Sequence, residues 1–169
     1  TRHTGTTIDV DHVIGCNMSF RAEALAKVGG FDLAYGGPNF MEETDLCLRV
    51  RRAGYRYVFD PDAHVHHANA PRDAGLVRDR ALDPQGLFWS ARSRAYFALK
   101  LLPWRVATLR YNVLGFVKLH AQAAVRERSL EHARAVLLQA LGAACGAIDW
   151  VVAGFPREPI FPAIRTKPR

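Results

Sequence analysis

Residues 39–54 read NFMEETDLCLRVRRAG, from Asn39 to Gly54. Glu42, Glu43 and Asp45 open a helix here, because acids in a first turn complement the helix dipole. At roughly 100° per residue from Glu42, the residues Leu46, Cys47, Val50 and Ala53 fall in one sector, the apolar stripe of a surface helix. Glu42 and Glu43 lie inside or at the edge of that sector. Asp45 lies elsewhere, beside Arg49 and Arg52, and its spacing of four to Arg49 predicts a solvated ion pair worth a few tenths of a kcal/mol. Dipole compensation accounts for acids in any first turn. Two glutamates turned toward the packed side also offer a carboxylate to whatever the flanking segments build.

Downstream, Gly54 ends the helix, Tyr55 to Phe59 reads as a strand, and Asp60-Pro61-Asp62 as a turn. Ala63 to His67 is strand-like again, so His64 and His66 would share one face and His67 the other. Only two of these histidines can converge, and no further His or Cys lies at helical spacing nearby. A self-contained zinc site is therefore disfavoured against one histidine completing a metal shell built mainly elsewhere. Upstream, residues 1–8 read as irregular, Val10 to Gly15 as β-prone, and Cys16 to Arg21 as a continuing buried strand or strand-like turn. Ala22, Leu25 and Val28 mark a short helix that Gly29-Gly30 closes. Phe31 and Asp32 follow as an apolar anchor and a cap or ligand. Ala34 to Asn39 is a glycine- and proline-rich loop of the kind that borders sites.

Beyond a polar stretch with Pro71 and Pro84, three helices are expected: Leu87 to Leu102, Trp104 to Val125, and Leu130 to Phe155. The apolar run Ala135 to Ile148, broken only by Gln139, is shorter than the ~20 residues that span a bilayer, which favours a packed or interfacial helix. Pro156 to Arg169 is a basic, proline-rich tail. Bulk properties restrict the reading less. The chain has 169 residues, 49% hydrophobic and 23% charged, and a formal net charge of +7, enough for one core with a helical appendage. The arginines are spread out and not interleaved with aromatics in one block, which argues against nucleic acid. Three dispersed cysteines without a CxxC fit a reducing compartment. Thr1 is followed by no charged and apolar leader pattern, so no signal peptide is read, and a piece of a longer protein is expected.

Four blocks stand in order: Gly15-Cys16-Asn17-Met18-Ser19-Phe20-Arg21; Gly29-Gly30-Phe31-Asp32; Glu42-Glu43-Thr44-Asp45-Leu46-Cys47-Leu48-Arg49 with Arg52-Ala53-Gly54-Tyr55; and Pro61-x-Ala63-x-Val65-x-His67. Together they resemble the C-terminal half of family 2 glycosyltransferases, whose fold is GT-A. The resemblance covers residues 9–67 closely and Arg92 to Pro103 more loosely. It implies an α/β fold: residues 1–86 as the acceptor-side half of a GT-A domain, 87–156 as a helical, membrane-associated tail, and 157–169 as an extended basic tail. It further implies inverting transfer of a sugar from a nucleoside-diphosphate donor to a glycan or lipid-linked acceptor, at the cytoplasmic face of a membrane. The second acid of the helix motif, Glu43, would be the catalytic base, with Glu42 and Asp45 supporting it, Asp45 through Arg49. Asn17, Gly30, Phe31, Asp32 and Arg49 would line the substrate side. His67, or His66 if the register differs by one, would help hold Mn²⁺ or Mg²⁺.

The chain departs from that pattern in lacking the nucleotide-binding βαβ unit and its upstream Asp-x-Asp motif. Asp9-Val10-Asp11 has the letters, but stands where the family has a strand leading to the acceptor region, so it reads as a decoy. The metal and the donor would then belong to a missing N-terminal half. Two other readings compete: a non-catalytic module of the same fold that binds a partner or membrane, and a small metal hydrolase using Asp62, His64, His66 and His67.

Overall fold

The computed structural model describes residues 5–37, 40–66, 83–101 and 110–154, the side chains of residues 101, 111 and 112 excepted. The described chain falls into two units, one containing residues up to Leu33 and from Glu42 through 66, the other containing the 34–41 loop and the chain from 83 onward. A helix-rich arrangement with one small sheet is consistent with part of an α/β domain.

In the first unit, β1 (Ile8–Val10) pairs antiparallel with β2 (Tyr57–Phe59), Ile8 opposite Phe59 and Val10 opposite Tyr57. Helices α1 (Ala22–Val28) and α2 (Glu42–Arg52) supply the other core residues. Ala24 and Val28 of α1 pack with Leu46, Cys47 and Val50 of α2 and with Tyr57 of β2. Phe20 meets the Tyr57 ring edge-on, with centroids 5.9 Å apart. Gly29 closes α1 at φ 80°, a left-handed conformation glycine adopts without steric cost, and the Gly30 N–H donates to the Leu25 carbonyl at 3.0 Å.

Two extended expectations are corrected. The strand occupies Ile8–Val10, and residues 11–14 leave the sheet. Gly15–Asn17 then forms a single 3₁₀ turn, closed by the Asn17 N–H donating to the Ile14 carbonyl at 3.0 Å, so Cys16 is exposed where a buried strand or strand-like turn was expected. After β2, the Asp60 carboxylate accepts the Asp62 N–H at 3.0 Å and turns the chain. Residues 63–66 have no regular structure, and no face alternation separates His64 from Val65.

In the second unit, α3 (Pro84–Leu101) starts three residues earlier than the apolar pattern suggests. Pro84 is tolerated in a first turn, and the Asp83 carboxylate accepts the Gly86 N–H at 2.7 Å. A π-helical turn (Arg110–Leu114) leads into α4 (Gly115–Glu127). Arg128 turns the chain at φ 48° and Ser129 caps α5 (Leu130–Val152), its hydroxyl accepting the His132 N–H at 3.4 Å. Gly142 and Gly146 lay α5 directly on the α3 backbone: a methyl at Gly142 would overlap the Phe88 carbonyl oxygen, and one at Gly146 the Arg92 carbonyl oxygen. Arg92 links three parts of this unit, donating to the Ala34 carbonyl at 2.9 Å, pairing with Asp149 of α5 at 2.7 Å, and lying over the Trp89 ring. Trp89 in turn lies against Gly36 and Gly37 of the loop, so it packs inside its own unit.

Candidate functional site

The first unit brings all four sequence blocks into contact. At its centre, Glu43 in the first turn of α2 lays its carboxylate against the backbone of Gly15. A methyl group at Gly15 would overlap Glu43 Oε1 and come within 2.7 Å of its Cδ, so only glycine admits this approach. Gly15 is exposed and Glu43 half-buried, so the carboxylate is supported on one side and reachable on another. The same turn is held at its other end: Asn17 Nδ2 donates to the Ala63 carbonyl at 2.7 Å across 46 residues. Cys47 Sγ, 3.9 Å from the Val13 carbonyl, fixes the segment leading into the turn.

Glu42, next to it, differs in environment. Its Oε2 is buried with no hydrogen-bond partner. Burial pushes its pKa up, the neighbouring Glu43 charge adds to the rise, and a backbone hydrogen bond opposes it. Met41, just before it, sits at φ 72°, a left-handed conformation that a long side chain rarely adopts, so the helix start is strained where the acids begin.

Asp45 and Arg49 do pair, Nε to Oδ2 at 2.7 Å, but the expectation of a solvated pair is corrected. Asp45 is fully buried and Arg49 is 7% exposed. The reason is the rest of the guanidinium: Nη1 donates to the Val28 carbonyl and Nη2 to the Gly30 carbonyl, each at 2.7 Å. These are carbonyls at the end of α1, left without helical partners. All three Arg49 nitrogens are therefore bonded within the protein, two of them to carbonyls at and just before the Gly29–Asp32 turn. That turn carries Phe31, exposed at 40%, and Asp32, buried and itself engaged. Behind α2, the Tyr57 hydroxyl donates to the Cys47 carbonyl at 3.3 Å, and burial, with Cys47 nearby, pushes its pKa well up.

The remaining candidates separate from this centre. Asp9 and Asp11 face arginines, pairing with Arg56 at 3.5 Å and with Arg51 respectively. His64 and His66 are exposed on the irregular segment, and His67 lies outside the described residues. Among the described residues no three His, Cys, Asp or Glu side chains are grouped to hold a metal ion. These residues by themselves therefore do not fit a resident metal. Two groups escaped sequence reasoning: Gly15 as the support for Glu43, and the Ala63 carbonyl as the latch for Asn17. Gly15 stands inside a quoted block, but nothing in one dimension says which side chain will lie on it.

Comparison with known proteins gives a distant relationship. The chain is 30% identical, over 122 residues, to the N-acetylglucosaminyl-diphospho-decaprenol L-rhamnosyltransferase of two Mycobacterium tuberculosis strains, CDC 1551 / Oshkosh and ATCC 25618 / H37Rv. The match takes in 71% of this chain and 36% of each relative, so the chain spans about a third of the curated relatives it matches. No family model matches the chain, and no solved structure does. The similarity supports a distant glycosyltransferase relationship.

Proposed function

We propose that this chain forms the acceptor-side part of an inverting sugar transferase, with Glu43 as the general base. The observation that carries the reading is the half-buried Glu43 carboxylate resting on Gly15, in a turn latched by Asn17 to Ala63. An acceptor hydroxyl at Glu43 loses its proton to the carboxylate as its oxygen bonds to the anomeric carbon. The bond from that carbon to the nucleoside diphosphate breaks, and the diphosphate leaves with the electron pair. Attack from the face opposite the leaving group inverts the anomeric centre. Glu42 and the Asp45–Arg49 pair hold the helix start and the Gly29–Asp32 turn in position. Phe31, exposed beside them, supplies an apolar surface for an acceptor ring.

The named activity of the mycobacterial relatives supports an acceptor of the same kind, a sugar carried on a lipid diphosphate, and hence work at the inner face of a cell membrane in polysaccharide synthesis. Mn²⁺ or Mg²⁺ belongs, on this reading, with the nucleotide-binding part, and no step given to this chain's residues runs through it. The test is a transfer assay on a form that includes a nucleotide-binding segment, offered nucleotide sugars and a lipid-diphosphate glycan, with the product's anomeric configuration read by NMR. An inverted glycosidic product is expected. A retained configuration rules out this mechanism, and donor binding without any transfer or hydrolysis favours the non-catalytic module.

A further inference from the structure

The outer face of α5 is apolar along its length while its inner face is built of small and polar residues. Facing the protein are Ala135, Gln139, Gly142 and Gly146, all buried. Facing outward are Leu130 at 86% exposure, Leu137 at 60%, Leu141 at 50%, Ile148 at 59%, Val151 at 51% and Val152 at 80%. A helix in water turns its large apolar residues inward. This one turns them outward and approaches α3 through two glycines, the packing used where lipid and not water is the solvent. The helix is long and apolar enough to cross a membrane. Over 23 residues it runs roughly 34 Å at about 1.5 Å per residue.

We propose that α5 lies in the plane of an anionic bilayer, with this outward stripe submerged below the headgroups. Crossing the bilayer fits less well. The inner face carries the Arg92–Asp149 ion pair and the buried Gln139, and α3 adds the buried Lys100, all costly at hydrocarbon depth. Lying in the plane keeps these groups on the protein side and lets Arg134, four residues in, reach the headgroups with its long stem. Charge identifies the lipid. Arg126, Arg128 and Arg134 are exposed around the start of α5, where Glu127 pairs with Arg126 and Glu131 adds a second acid, and Arg157, Arg165, Lys167 and Arg169 follow it in sequence with the acid Glu158, which leaves the flanks basic on balance. Basic groups flanking an apolar stripe are drawn to anionic headgroups.

The inference does not depend on sugar transfer, since vesicle binding needs no donor. The experiment is flotation of the 169-residue chain with vesicles of phosphatidylcholine alone or mixed with phosphatidylglycerol. Binding to the mixed vesicles is expected, weakened by salt. It should fall by about tenfold or more in Leu141→Glu/Ile148→Glu, whose helical circular dichroism stays unchanged because both side chains are exposed. Equal binding by that variant overturns the proposal, as does failure of the parent chain to float. Resistance to carbonate extraction would show a spanning helix instead. A dimer that forms without lipid and is lost in the variant would assign the stripe to a second copy.

Discussion

At the scale of single residues, the Asp45–Arg49 pair shows how far a sequence pattern reaches. The spacing of four correctly pairs the two side chains, and helical phase correctly separates Asp45 from the apolar stripe. Phase does not say that the buried arc of α2 is wider than the stripe. That width comes from Arg49 satisfying the Val28 and Gly30 carbonyls, which lie 21 and 19 residues away in sequence. Breaking a buried pair strands a charge, so Arg49→Met should destabilise the fold by about 3–5 kcal/mol in urea titration, and Asp45→Asn by a comparable amount. The double variant Asp45→Asn/Arg49→Met should lose less than the sum of the two. A loss near half a kcal/mol for Arg49→Met would return the pair to the solvated class. Gly15→Ala tests a different contact. Its methyl must displace the Glu43 carboxylate and not the core, so transfer should fall by about tenfold or more while the denaturation midpoint moves little. Unchanged transfer in Gly15→Ala would detach Gly15 from the site.

Among the elements, the α4–α5 hairpin holds a feature that periodicity does not announce. His120 of α4 is buried, its Nδ1 has no partner, and its ring centroid lies 5.5 Å from that of His132 on α5. Burial lowers the His120 pKa, and the charge of His132 lowers it further. In the unfolded chain a histidine titrates near 6.5. Between that value and the lower folded one, the unfolded state binds more protons, so folding stability falls as pH drops. Thermal unfolding of the helical unit should therefore lose midpoint below about pH 6.5, and His120→Leu should flatten the dependence. A parent curve level from pH 7 to 5 would contradict this. The helices α3 and α5 were readable from sequence, because long apolar periodicity survives packing detail; of the expected helix Trp104 to Val125, residues 104–109 lie outside the described residues and Arg110–Leu114 forms the π-helical turn before α4. The short strands were less so: Ile8–Val10 and Tyr57–Phe59 have three residues each, too few for alternation to fix their ends. A 3₁₀ turn at Gly15–Asn17 stands where a buried strand or strand-like turn was expected, and its Asn17 latch pairs with a segment 46 residues away.

For the whole molecule, order of blocks carried more than any one block. Acids at a helix start are common, and a Gly-Cys-Asn triplet is weak alone. Their sequence order anticipated that the Gly15 turn, the Gly29–Asp32 turn, α2 and Ala63 would meet in one unit. It did not anticipate that Glu43, Asp45 and Arg49 would divide the work, one reachable at the surface and two buried beneath. The metal histidine and the tail beyond Phe155 fall outside the described residues. Glu43 carries the proposed function, and the direct measurement is sugar transfer by Glu43→Gln against the parent protein, in a form that includes a nucleotide-binding segment. Removing a general base should lower the transfer rate by about 10²–10⁴-fold with donor affinity nearly unchanged. Transfer within a few fold of the parent would contradict the assignment of Glu43 as the base.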